Sequence, residues 1–88
     1  MATRGKRAGD EAAAVFSITA ERCPQILCRL LGLIAQQDRL VDWVEAQSSA
    51  RTCRVSLGVR DIDPQRAAII AEKMRCLVRV RTVRLRLG

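Results

Sequence analysis

Eighty-eight residues suffice for one domain with a thin core, since a chain of this size buries only about 60–65% of the surface its unfolded form exposes. There is no histidine or tyrosine, and the aromatic residues are Phe16 and Trp43 alone, which removes the commonest acid–base and nucleophilic mechanisms. A net charge of +7 directs the chain toward anionic surfaces, while no apolar run approaches the ~18 residues of a membrane span.

Residues 1–12 read as a disordered basic tail, with Arg4, Lys6 and Arg7 set among Gly5 and Gly9 without periodicity. Met1 to Glu11 lack the apolar centre of a secretory signal, so the expected location is cytoplasmic, and Cys23, Cys28, Cys53 and Cys76 are expected as buried, reduced thiols. From Ala14 the pattern alternates. Phe16, Ile18 and Ala20 fall on one side and Val15, Ser17 and Thr19 on the other, which predicts a half-buried strand.

Cys23-Pro24 then opens a helix with proline at its first position. Leu27, Leu30, Leu31 and Ile34 make its apolar stripe, with Ile26 and Leu33 at the margins and an end near Gln37–Asp38. Leu40 to Gln47 reads as a second strand through Val41, Trp43 and Val44, its imperfect alternation leaving the face of Trp43 open. Ser48-Ser49-Ala50 is the expected hairpin turn. Thr52 to Val59 alternates cleanly, with Cys53, Val55, Leu57 and Val59 on one face.

Asp63 is placed to cap a second helix that has Pro64 at its first position and Ala67, Ile70, Ala71, Met74 and Leu77 as its stripe. Val78 to Leu87 closes the chain as an arginine-rich strand, and its change of phase between Arg81 and Arg84 predicts a turn or bulge. The order β-α-β-β-α-β over residues 13–88 describes a single α+β domain of ferredoxin-like layout. Its four-stranded antiparallel sheet would carry both helices on one face, with strand order 4-1-3-2 and strand two at an edge.

The run Ile18-Thr19-Ala20-Glu21-Arg22-Cys23-Pro24-Gln25-Ile26-Leu27, an apolar helix and then Leu40-Val41-Asp42-Trp43-Val44 resembles the opening of an ACT domain. Cys53 to Val59, a helix and Cys76-Leu77-Val78-Arg79-Val80-Arg81-Thr82-Val83 are similar to the short small subunit of acetolactate synthase, which carries a Lys-Leu-Val-Asp-Val run at that point. The resemblance covers residues 14–86. Gln25 stands where regulatory ACT domains usually have glycine, Arg22 where valine-sensing small subunits have asparagine, and Asp38 where a second family glycine follows the helix.

The resemblance implies a non-catalytic regulatory subunit, homodimeric through its second strand, that holds a large catalytic subunit of branched-chain amino-acid biosynthesis. Chemistry and the thiamine cofactor would reside in that partner, so no cofactor is expected here. It also implies an effector site for an amino acid, with a branched-chain amino acid as the candidate ligand, at Glu21, Arg22, Cys23, Gln25 and Ile26, where free N–H groups and the helix dipole suit a carboxylate. The interface candidates are Val41, Trp43, Arg79 and Arg81, and Trp43 reads either as filler at the core edge or as an interface anchor.

No catalytic constellation is found, since the carboxylates of Asp61 and Asp63 sit beside a helix start and are explained by capping. Cys23 and Cys28 lack the spacing of a zinc knuckle, so no metal site is expected, although Cys23 beside a helix start and Arg22 is the thiol best placed for reactivity. Arg75, Arg79, Arg81, Arg84 and Arg86 could track a phosphate backbone, making a stand-alone nucleic-acid-binding module the alternative reading. Equally, they could protect an edge strand or meet acidic groups on a protein partner. The scarcity of aromatic residues argues against nucleic acid.

Overall fold

The alternation that begins at Ala14 builds the strand on which the rest is hung. The computed structural model describes residues 13–88; the expected tail, residues 1–12, lies outside the described residues. The elements are β1 (Ala14–Glu21), α1 (Ile26–Gln36), β2 (Trp43–Ser48), β3 (Thr52–Val59), α2 (Pro64–Arg75) and β4 (Val80–Leu87). They form one four-stranded sheet in the order β2-β3-β1-β4, antiparallel at every junction.

Side chains of β1 alternate between faces. Ala14, Phe16, Ile18 and Ala20 are at most 2% exposed, and they meet Cys53, Val55, Leu57 and Val59 of β3 on the helix side. Both helices lay their stripes on this layer: Ile26, Leu30 and Ile34 from α1, and Ala67, Ile70, Ala71 and Met74 from α2. Each fully buried aliphatic or aromatic side chain contributes about 1.5–3 kcal/mol. No polar or charged side chain is buried among the described residues, so this layer is purely apolar.

Several boundaries differ from the expected ones for local reasons. Pro24 and Gln25 form a turn closed by the Ile26 N–H donating to Cys23 O at 3.1 Å, so α1 starts after the proline and its stripe centres on Ile26 rather than Leu27. Asp38 ends that helix region at a φ of 59°, the left-handed conformation that the corresponding family glycine takes freely.

Residues 39–42 do not pair as strand. Arg39 bonds to Asp61 (3.3 Å), and the Asp42 carboxylate takes both the backbone N–H and the guanidinium of Arg60, which ties this segment to the β3–α2 connection. The hairpin turn falls one residue later than expected, at residues 49–51, with Ser49 N–H donating to Thr52 O at 2.8 Å. Residues 76–79 form a turn, so β4 begins at Val80 and leaves Val78 94% exposed. The expected irregularity in β4 is a bulge: Thr19 pairs with Thr82 but Ala20 with Val80, making Arg81 the extra residue.

The four cysteines are not all buried, contrary to expectation. Only Cys53 is buried; Cys23 is half-buried, and Cys28 and Cys76 are exposed, because the latter two lie off the apolar stripe of α1 and at the end of α2. At the opposite side of the fold, β1 and β4 begin and end together, with Gly88 N–H donating to Ala13 O at 3.0 Å.

Asp63 caps α2 as expected, accepting from Arg66 N–H at 2.8 Å. Asp63→Ala should lower stability by about 1 kcal/mol in chemical denaturation, and Asp63→Asn should restore most of it.

Candidate functional site

The β1–α1 loop faces the α2–β4 turn across a small cleft. Cys23, Gln25, Ile26 and Arg29 on one side and Leu77, Val78 and Arg79 on the other line a cavity of about 230 Å³. Gln25 occupies the N-cap of α1 without a side-chain cap, so the first-turn amides carry no internal partner from it. Two guanidinium groups, Arg29 and Arg79, stand at the same cleft. The arrangement offers cations and helix-end donors to a small carboxylate.

Of the five expected effector residues, Cys23, Gln25 and Ile26 line this cleft. Glu21 borders it through its 3.5 Å ion pair with Arg79, an exposed pair of small energetic weight. Arg22 is turned elsewhere: its guanidinium donates to Ser49 O at 3.3 Å and its backbone N–H to Arg51 O, so it braces the β2–β3 turn. Arg29, Leu77, Val78 and Arg79 are additions to the expected effector set. Arg29 lies one helical turn after Gln25 and was within reach of helical spacing, whereas the approach of residues 77–79 depends on how two helix ends meet across the sheet, for which no local sequence pattern exists.

The interface candidates separate as well. Val41 precedes β2 and packs half-buried against the core, while Arg79 is held by Glu21 and Arg81 stands exposed on the bulge. Trp43 takes the face away from the helices. It pairs with Gly58, and a Cβ at Gly58 would lie 2.0 Å from the indole Nε1, so the ring lies directly on the glycine. That N–H is buried with no hydrogen-bond partner.

The two sheet edges differ. Ser49 N–H bonds to Thr52 O, so alternate residues of β2 starting from there face β3, and Val44, Ala46 and Ser48 direct their backbone groups to the open edge. That edge holds no lysine, proline or bulge. On β4, Glu21 N–H bonds to Arg79 O and the register leaves Val83 facing outward, where Arg75 donates to its carbonyl at 3.0 Å. Arg75 is itself held by Glu72 at 2.6 Å. A guanidinium therefore occupies the β4 edge, next to the Arg81 bulge. Among the described residues no group of three or more His, Cys, Asp or Glu side chains gathers as a metal set, and no helix is long and apolar enough to cross a membrane.

A family model for the ACT-like domain matches residues 7–87. The chain belongs to the ACT-like domain family. Such domains are typically regulatory, non-catalytic modules. The crystal structure of the ACT domain from GTP pyrophosphokinase of Chlorobium tepidum has a TM-score of 0.72 at 16% identity, covering 83% of this chain and 95% of that one. The C-terminal domain of the MgtC protein from Mycobacterium tuberculosis has a TM-score of 0.56 at 12% identity, covering 90% and 92%. At these identities the likeness shows the fold. Neither is an acetolactate synthase subunit, and the finer resemblance to that subunit rests on the sequence motifs alone. No protein of curated function matches this ACT-like chain.

Gly58→Ala should lift the indole off the sheet, shifting Trp43 fluorescence to the red and costing about 1–3 kcal/mol in denaturation. In a Trp43→Ala background the same substitution should cost close to nothing, and an unchanged cost there would separate Gly58 from the tryptophan.

Proposed function

We propose that this ACT-like domain is an accessory subunit that pairs with a second copy through β2 and serves a larger catalytic chain, as the small subunit of acetolactate synthase does. The observation that carries this reading is the asymmetry of the sheet edges. β4 is closed to a further strand by Arg75 at the Val83 carbonyl, whereas the β2 edge offers unprotected backbone groups. Beside that edge Leu40 is 79% and Val44 40% exposed, and a second copy would cover apolar surface there. Pairing would continue the sheet from one copy into the next.

The cleft at Gln25 supports the effector half of the reading. Its cations and α1 donors would take a carboxylate, and Ile26, Leu77 and Val78 would take an aliphatic side chain, which is the chemistry of a branched-chain amino acid. A nucleic-acid reading finds less support. Phe16 is buried on the helix side, and Trp43, half-buried against Gly58, is the single ring on the outer face, too few for the stacking of successive bases.

Light scattering should give a dimer for the wild-type domain and a folded monomer for Ala46→Pro, which removes an outward N–H without touching the β2–β3 ladder. A wild-type monomer, or a variant that stays dimeric, would overturn the β2 interface.

A thermal-shift scan against the twenty amino acids should show a rise with valine, leucine or isoleucine. Ligand at 100 times its dissociation constant contributes about 2.7 kcal/mol, and each kcal/mol moves the melting point of so small a domain by about 4–8 °C. A flat scan would remove the effector and leave the scaffold.

A further inference from the structure

The helices cover one face of the sheet, and the other face carries an ordered set of cations. In register across β2, β3, β1 and β4, one row reads Trp43, Gly58, Val15, Arg86 and the next Glu45, Ser56, Ser17, Arg84. A third reads Gln47, Arg54, Thr19, Thr82. Short hydroxyl side chains thus fill the middle, with long guanidinium groups on either side. The result is a shallow trough of about 350 Å³ between Arg54 and Arg84, floored by Ser17, Thr19, Ser56 and Thr82.

Arg54, Arg84 and Arg86 are exposed, and none of their guanidinium groups makes an ion pair or hydrogen bond among the described residues. The acids on this face are already engaged, Glu21 by Arg79 and Glu45 by a contact of its own. Arg84 and Arg86 stand two residues apart on one strand, about 7 Å, well inside a Debye length at physiological salt. They repel each other until an anion arrives.

We propose that this face is the docking surface for an extended acidic segment of a protein partner. An extended chain repeats its side chains on one side every two residues, about 7 Å, which sets alternate carboxylates against Arg84 and Arg86. Guanidinium groups pair with carboxylates through two parallel hydrogen bonds, and the hydroxyl floor can donate to the carboxylate oxygens and backbone carbonyls between them. A second copy of this chain would bring like charge to the face. A nucleic acid would find a single half-buried ring on this face, Trp43 lying on Gly58, where successive bases need several. The inference rests on the accessory-subunit reading only in taking the partner to be a protein.

The test uses a decaglutamate peptide and a ten-residue oligouridylate as probes, followed by amide shifts in NMR spectra of the whole chain. Decaglutamate should shift the amides of Ser17, Thr19, Ser56 and Thr82, and binding should weaken as salt rises. Arg54→Glu with Arg84→Glu should weaken binding about tenfold or more. The charge-matched pair Arg66→Glu with Lys73→Glu, on α2, should leave it within about twofold. Arg54→Gln with Arg84→Gln gives the milder variant should the reversal disturb folding. Shifts spread over the helices, equal losses in both charge-matched variants, or no binding would overturn the proposal. Tighter binding of oligouridylate would instead make the face a nucleic-acid surface. The mass measured by light scattering is independent of all these outcomes, so a failure here is distinct from a failure of the β2 interface.

Discussion

Phe16 and Ile18 sit in the central strand with less than 3% of their surface exposed, and everything else in the fold follows from covering them. Two helices of 11 and 12 residues can roof one face of four strands and no more. The other face must therefore meet water, which is why Ser17, Thr19, Ser56 and Thr82 oppose the apolar positions of their strands. A chain this short has little stability to spare. No polar or charged side chain is buried as a whole among the described residues, although single atoms, Arg39 Nε and Trp43 Nε1, are shielded without a partner.

Trp43 and Gly58 are the exception to that division. The indole brings a large apolar surface to the wet face, and the missing side chain at residue 58 lets it lie against backbone. Its unpaired N–H opposes that gain by about 1–3 kcal/mol, an amount that burial of the ring can offset. The edge strand gains its hold on the sheet in this way, since Val44 and Ala46 on the helix side of β2 remain exposed and contribute little. One edge of the sheet is thus anchored by a ring laid flat, and the other is closed by Arg75.

Where the sequence alternates between apolar and polar residues, the structure was legible in advance. β3 runs over the expected residues, β1 takes the expected faces, and Asp63 caps α2, because each depends on contacts within a few residues or on a strict period of two. The start of β2 was misread because Leu40 and Val41 are β-prone, while the bonds that decide the matter, from Arg39 and Asp42, go to residues 60 and 61. The cleft was half legible. The loop before α1 could be found from Pro24 and from the family pattern. Leu77 and Val78, read as core stripe and strand, reach the cleft only because the chain turns at residues 76–79. The role of Arg75 left no trace in the sequence, since an arginine at a helix end is also an ordinary partner for the helix dipole.

The hydrogen bond from Gly88 to Ala13 has a consequence for how such a domain can travel between proteins. Both ends of the described fold leave side by side, at the rim of the β1–β4 ladder. Spliced into a surface loop of a host, the unit would close that loop over roughly one strand spacing, with little entropic penalty and no need to distort either sheet or host. The same closeness would let the chain be opened at the Ser49–Arg51 turn and its old ends joined by a short linker. A domain whose ends meet is a portable part, and its fold is indifferent to whether it is carried inside another chain or beside it.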